Sequence, residues 1–344
     1  MIKINKDMLH IDQFINELLE GFTPKQRKVL SGRFGLKNGK RATLQEIGDE
    51  LGITRERVRQ IEEQTIGKIR TTVREDAKEL VNLAIKHLEA EDGVRRDAEF
   101  IYEIKKAILD MHTKYIDQKL HFIFVTAGAP LFRKEDDGFY AYWYVSEASK
   151  KGFLDFTKQI TQFFKSGDKN QILREKTHLS LTKQFASTHF LTIPKHFGVN
   201  VFGDMGLREW PEIEPKTIRD KAYLVLKKHG QPLHFENVAK FINEYGLDKK
   251  KAHMQTVHNE LIKDTRFVLV GRGMYGLKEH GFEAGTVRDV IVSLLKKRGS
   301  LSSTEVVTLV NKQRFLKENT ILLSLQNRKH FKRLDDGKYQ IKEA

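Results

Sequence analysis

The 344-residue chain contains no cysteine, 6 prolines and 2 tryptophans. Without cysteine there are no disulfides, no thiolate zinc sites and no cysteine nucleophiles. No uninterrupted apolar run reaches the roughly eighteen residues that would suggest a membrane-spanning helix. Met1 to Lys6 lacks the basic and apolar regions of a signal peptide, so a cytoplasmic location with no membrane contact is expected. Signatures of catalysis are missing as well. There is no HExxH, no P-loop Gly-Lys-Ser/Thr and no Gly-x-Ser-x-Gly. The 13 histidines contain no ligand-spaced set: His253 and His258 are five apart and do not share a helix face as a zincin pair would. Asp136-Asp137 and Asp335-Asp336 each precede a glycine and read as turns, not as acid pairs for chemistry. No catalytic residue, metal or cofactor is expected, and the chain does not read as an enzyme.

Charge is abundant, and its placement is uneven. The net charge is +15. Residues 1–75 hold 15 basic and 11 acidic side chains, residues 76–215 hold 20 and 21, and residues 216–344 hold 26 and 14. The excess therefore gathers near the C-terminus. Solubility alone does not require that asymmetry, whereas a polyanion partner does, because each neutralised phosphate releases counterions.

The most informative stretch is Thr43 to Arg70. Thr43 caps a helix with Glu46 in capping-box position. Leu44, Ile47 and Leu51 give that helix a buried stripe, and Gly52 supplies the positive φ of a tight interhelical turn. Thr54 caps a second helix whose Val58, Ile61, Thr65 or Ile66, and Ile69 must face inward. Its remaining face carries Arg55, Glu56, Arg59 and Gln60. Arginine pairs bidentately with guanine, glutamine with adenine, and glutamate accepts from the cytosine amino group. The alternative is a solvated, salt-bridged helix.

From Phe22 to Arg70 the sequence resembles region 4 of primary bacterial RNA polymerase sigma factors. The resemblance runs through Gln26-Arg27, Val29-Leu30, Arg33-Phe34-Gly35-Leu36, Thr43 to Gly48 and Thr54 to Glu62. It implies that the second helix enters the major groove of a promoter element. Arg55, Glu56 and Gln60 would then contact bases, Arg57 and Arg59 phosphates or bases, and RNA polymerase core would be a partner. Thr23, Pro24 and Gln26 form a second capping box upstream, and Gly35 suits a left-handed helix end. Ile11, Phe14, Ile15, Leu18 and Leu19 form one stripe of an opening helix that packs on this unit. The reading helix is expected to run on towards Leu88 as a spacer or a bent helix, because Thr71 to His87 has no Gly or Pro.

The remainder reads as diverged repeats. Residues 216–282 follow the order of three helices and a hairpin, with helices at Thr217 to Lys228, His234 to Tyr245 and around Gln255 to Asp264. Through Gly230-Gln231-Pro232-Leu233-His234, Thr256-Val257-His258 and Val270 to Leu277 this segment resembles the HARE-HTH family, which includes a winged-helix module of the polymerase delta subunit. The resemblance implies a DNA- or polymerase-binding domain. Thr256 and His258 are candidate contacts on its third helix, and Arg272 is a phosphate or minor-groove contact at its wing tip. Residues 283–344 repeat the order and end in Phe331 to Leu334 and Lys338 to Ile341 around Asp335-Asp336-Gly337. Residues 76–146 and 147–215 read as two weaker copies. The first has helices at Ala98 to His112 and Tyr115 to Thr126. The second has helices at Ala148 to Phe164 and about Asn170 to Ala186, a wing-like Gly203 to Trp210, and a linker through Pro215. Gly271-Arg272-Gly273-Met274-Tyr275-Gly276 matches GxGxxG, but strand-like residues follow it where a dinucleotide site needs a helix. Phe139 to Tyr144 reads as a buried wing strand or an interdomain contact, with a stacking platform for single-stranded nucleic acid as the alternative.

The expected fold is mainly α: a sigma region 4-like helix-turn-helix over residues 1–75, then several winged-helix modules. The expected function is a DNA-binding transcription factor reading promoter-like duplex DNA and contacting RNA polymerase. About fifty residues carry the sigma resemblance, and none resembles the segments that melt the start-proximal element, so the expectation is an accessory factor or regulator. The rivals are a delta-subunit-like interaction protein and the DNA-reading part of a restriction or defence system.

Overall fold

The computed structural model describes residues 10–108, 113–175 and 188–342. It divides into two compact units, Met1–Gly198 and Val199–Ala344.

The first unit opens with α1 (Ile11–Glu20), α2 (Pro24–Phe34), α3 (Leu44–Leu51) and α4 (Arg55–Asp76). Thr23 and Thr43 each complete a capping box, with Gln26 and Glu46 respectively. Two N–H groups at each helix start are thereby satisfied. Gly35 and Gly52 end α2 and α3 in the left-handed conformation. α1 buries Ile11, Phe14, Ile15 and Leu19 in the same core as Leu30, Phe34 and Leu36.

The chain then bends, and α4 does not run to Leu88. It stops at Asp76, and α5 (Lys78–Ala90) starts after the buried Ala77. Backbone bonds bridge the bend, from Ala77 N–H to Val73 O and from Val81 N–H to Ala77 O. No glycine or proline marks the bend, at which both apolar faces turn into one core. α5 is the first helix of a module continued by β1 (Val94–Arg96), α6 (Asp97–Ile108), α7 (Ile116–Ala127), β2 (Leu131–Arg133) and β3 (Tyr142–Tyr144). The strands form an antiparallel sheet in the order β1-β3-β2. That element order is the winged-helix one. The last residues of the expected Ala98 to His112 helix, 109–112, lie outside the described residues. The run Phe139 to Tyr144 supplies β3, whose Tyr142, Trp143 and Tyr144 are buried. α8 (Glu147–Ser166) and α9 (Lys169–Glu175) follow. Most of the expected helix from Asn170 to Ala186 lies outside the described residues.

In the second unit, the segment Gly203 to Trp210 holds a three-residue strand, Met205–Leu207, and a turn closed by Trp210 N–H on Leu207 O. Next come α10 (Ile218–His229), β4 (Leu233–His234), α11 (Phe235–Glu244), α12 (Met254–Lys263), β5 (Phe267–Gly271) and β6 (Met274–Leu277). Their sheet order, β4-β6-β5, repeats that of the first module. GxGxxG falls on the β5–β6 hairpin, and a short 3-10 turn follows it, so this is the wing. α13 (Val287–Arg298), α14 (Ser303–Asn311), α15 (Glu318–Leu325), β7 (Phe331–Arg333) and β8 (Tyr339–Ile341) form the last module. There a single bridge from Leu301 to Tyr339 takes the place of the first strand. The last two modules each have their own core.

Candidate nucleic-acid interface

α3, the turn at Gly52 and the start of α4 make the helix-turn-helix. Val58 is completely buried against Val29 and Ile47, which fixes which side of α4 faces outward. Gly48 makes the close approach possible: a Cβ there would lie 2.7 Å from the carbonyl oxygen of Ile53. Arg33 acts as a clamp. Its guanidinium donates to Glu62 on α4 at 2.9 Å and to the carbonyl of Ala42 at 2.7 Å. The resemblance contained both Gly48 and Arg33, but only the packing assigns them these positioning roles.

Thr54 caps α4, its hydroxyl accepting from Arg57 N–H at 3.2 Å. Arg55, Glu56, Arg57 and Arg59 are exposed and Gln60 is half-buried. Glu56 and Arg59 are joined by two hydrogen bonds of 2.9 and 2.7 Å, and Arg59 also donates to Glu63. Arg57 donates to Gln60 at 3.1 Å. The bond from Arg59 holds the Glu56 carboxyl below the usual carboxylate range, and Glu56 and Glu63 raise the Arg59 guanidinium further. Glu56 is therefore an ionised acceptor and Arg59 a pre-oriented donor. These six side chains share the first two turns of one capped helix.

The other three expected contacts lie in the second unit. Thr256 is exposed in the first turn of α12, and Arg272 is exposed at the β5–β6 turn beside Gly273, whose φ is +67°. His258 is half-buried, its ring 4.4 Å from that of Phe235 and 5.9 Å, edge-on, from that of Tyr275. Among the described residues no group of three or more His, Asp or Glu side chains could hold a metal, and no helix is long and apolar enough to cross a membrane.

α4 is 22 residues long, about 33 Å at 1.5 Å per residue. Its second half does different work. Ile69 and Val73 join the core that holds α7, and Arg74 donates to the carbonyl of Ala127 at 2.7 Å. α7 stands where a winged helix carries its reading helix, yet Leu120 to Phe124 are all buried and Lys119 pairs with Asp12. This module cannot read a groove through α7. It is a brace for α4.

Residues 18–71 match the family described as sigma-70, region 4. Residues 216–280 match the HARE-HTH family, a helix-turn-helix domain whose description names ASXL and restriction endonuclease. RNA polymerase sigma factor SigA of Clostridium acetobutylicum is 48% identical over 54 residues, 16% of this chain and 14% of that protein. SigA of Nostoc sp. is 40% identical over 68 residues, 20% of this chain and 17% of that protein. RpoD of Neisseria gonorrhoeae is 41% identical over 66 residues, 19% and 10% of the two chains. The chain thus combines a sigma region 4 segment and a HARE-HTH domain, and the likeness to sigma factors spans a small fraction of their length.

Proposed function

We propose that this protein is a transcription factor that reads promoter-type duplex DNA through α4 and contacts RNA polymerase, as an accessory factor or regulator. The observation that carries the reading is the grouping of Arg55, Glu56, Arg59 and Gln60 on the outward face of a capped helix whose inward face is Val58. Base-edge chemistry asks for those side chains in that setting. Thr54, Arg57, Thr256, His258 and Arg272 are assigned supporting contacts. The sigma-like segment supports a polymerase partner, since sigma factors, as their name says, serve RNA polymerase. Selection of duplexes from a random library by the full chain, and by its Arg55→Ala and Gln60→Ala variants, tests base reading. A preferred site that relaxes at one or two base pairs supports it, and the same preference in all three proteins overturns it.

A second reading, a polymerase-associated interaction protein, draws on α12. That helix exposes Met254 (51%) and Ile262 (62%), and Lys263 at its end is its only Lys or Arg. Loss of polymerase co-purification in a Met254→Ser, Ile262→Ser variant with DNA selection unchanged would assign α12 to protein contact.

A further inference from the structure

Four third helices stand where a reader would be, α4, α7, α12 and α15, and they carry different chemistry. α4 has Arg55, Arg57 and Arg59 in its first two turns. α7 is buried. On α12 the lone Lys263 lies 3.7 Å from Glu260. α15 has no Lys or Arg between Glu318 and Leu325, and its Leu323 is 71% exposed. A helix with that surface offers no cation to the phosphates at a groove edge.

The cations of the last module come after α15. Residues 327–342 hold Arg328, Lys329, Lys332, Arg333, Lys338 and Lys342 against Asp335 and Asp336. Arg328, Lys332, Arg333 and Lys342 line one cleft of about 680 Å³, floored by Phe331 and the half-buried Tyr339. No carboxylate lines it. None of these four cations forms an ion pair with another described residue, whereas Arg219, Lys221 and Arg266 in the same unit are all paired. A helix C-terminus attracts cations only within its last turn. That accounts for Arg328 at most, and leaves Lys332, Arg333 and Lys342 with no ion-pair partner among the described residues.

We propose that this cleft binds the phosphodiester backbone of duplex DNA. The last module would then grip DNA by the wing side, without base reading and with α15 outside the groove. This rests on the proposed function in taking duplex DNA as the partner, and adds to it a sequence-independent anchor separate from α4. Four neutralised phosphates give a salt slope of about −3.6 in log K against log salt, at about −0.9 each for B-DNA. Tyr339 offers its ring to a sugar face.

The test uses the full chain and a fluorescent duplex of arbitrary sequence, with binding measured over a range of salt. The triple variant Arg328→Gln, Lys332→Gln, Arg333→Gln should bind at least tenfold more weakly at low salt, with a slope smaller by about 2.7, and should select the same site as the parent. Leu323→Ser should match the parent in both. An unchanged slope in the triple variant, with duplex binding intact, overturns the wing anchor and leaves base reading by α4 standing. A parent chain that binds no duplex at all removes the proposed function as well. Lost polymerase co-purification with an unchanged DNA slope would give the cleft to an acidic protein surface and also overturn the proposal. All three substituted cations are exposed, so the variant's melting temperature should match the parent's.

Discussion

The ring of Phe34, at the end of α2, meets that of Phe122, on α7, edge-on with 5.1 Å between centroids. One belongs to the sigma region 4 segment and the other to the module after it. Both sit in one core that gathers α1, α2, the second half of α4 and the module after it, while Val29, Ile47 and Val58 form a smaller core under the turn. The reading head and its brace are expected to unfold together.

Phe122→Ala should cost about 3–5 kcal/mol, the usual range for emptying a large aromatic site. The loss should reach both parts. Hydrogen exchange on the full chain should show amides of α2 and α7 losing protection by the same factor. If α2 keeps its protection while α7 loses it, the head and the brace are separate folding units.

His121 makes the same junction sensitive to acid. Its side chain is 4% exposed, packed 4.8 Å from the ring of Phe132 and 5.3 Å from that of Trp143, and neither ring nitrogen has a hydrogen-bond partner among the described residues. Burial, together with the positive charges of Arg41 and Lys134, pushes its pKa down to about 3. The unfolded chain, with a histidine near 6.5, binds that proton more readily than the folded one. Stability is therefore complete above about pH 6.5 and falls by roughly 1.4 kcal/mol per pH unit as pH drops towards 3. Asp97 opposes this over part of the range: burial raises its carboxyl, and the folded state takes up that proton more readily. Urea melts between pH 7 and pH 4 should show a shallower loss for His121→Leu than for the parent. Parallel curves would mean that the imidazole is solvated in the folded protein.

Gly48→Ala would probe the turn. The added methyl would lie 2.7 Å from the carbonyl oxygen of Ile53, which is backbone and cannot rotate away. α3 and α4 would have to separate, at about 2 kcal/mol, within the ordinary range for a backbone-strain substitution. Affinity for the preferred duplex should fall more than affinity for an arbitrary one, because base contacts depend on the angle of α4 while phosphate contacts tolerate a shift. Equal losses on both duplexes would show that Gly48 supports stability alone.

Legibility in the sequence differed from element to element for physical reasons. The caps at Thr23, Thr43 and Thr54 were readable because capping is local: one side chain and an N–H three residues on. The outward face of α4 followed from the spacing of Val58, Ile61 and Ile69. The position of the bend at Ala77 could not be read, since no Gly or Pro marks it and it comes from two apolar stripes sharing one core. The burial of α7 was hidden for a related reason. Leu120 to Phe124 is apolar enough to be buried on every side, but only the packing of α4 and Phe34 shows what covers the side a reading helix would leave open. The pairing of Arg33 with Glu62 spans 29 positions, and no short-range pattern reports it.

The exposed pair on α4 gives a prediction in which affinity and specificity move in opposite directions. Glu56 bonds Arg59 at 2.9 and 2.7 Å and is one of two carboxylates holding it. In the proposed DNA complex Glu56 would accept from a cytosine amino group at its own site and would repel phosphate everywhere else. Glu56→Ala removes the repulsion and frees Arg59 from one of its two tethers. Binding to arbitrary duplex should therefore tighten a few-fold, with a steeper salt dependence as Arg59 engages a phosphate. Discrimination at one base pair of the preferred site should fall by ~1–3 kcal/mol. Arg57→Ala should do the reverse, weakening all duplexes about equally and leaving the preference intact. Val58→Ala, which opens the core beneath the same helix, should lower the melting temperature and reduce every affinity together. Salt-titrated binding of each variant to the preferred site, to the same site with one pair changed and to an arbitrary duplex separates the three patterns. If Glu56→Ala weakens arbitrary duplex binding, the carboxylate is orienting Arg59 towards phosphate and is not reading a base.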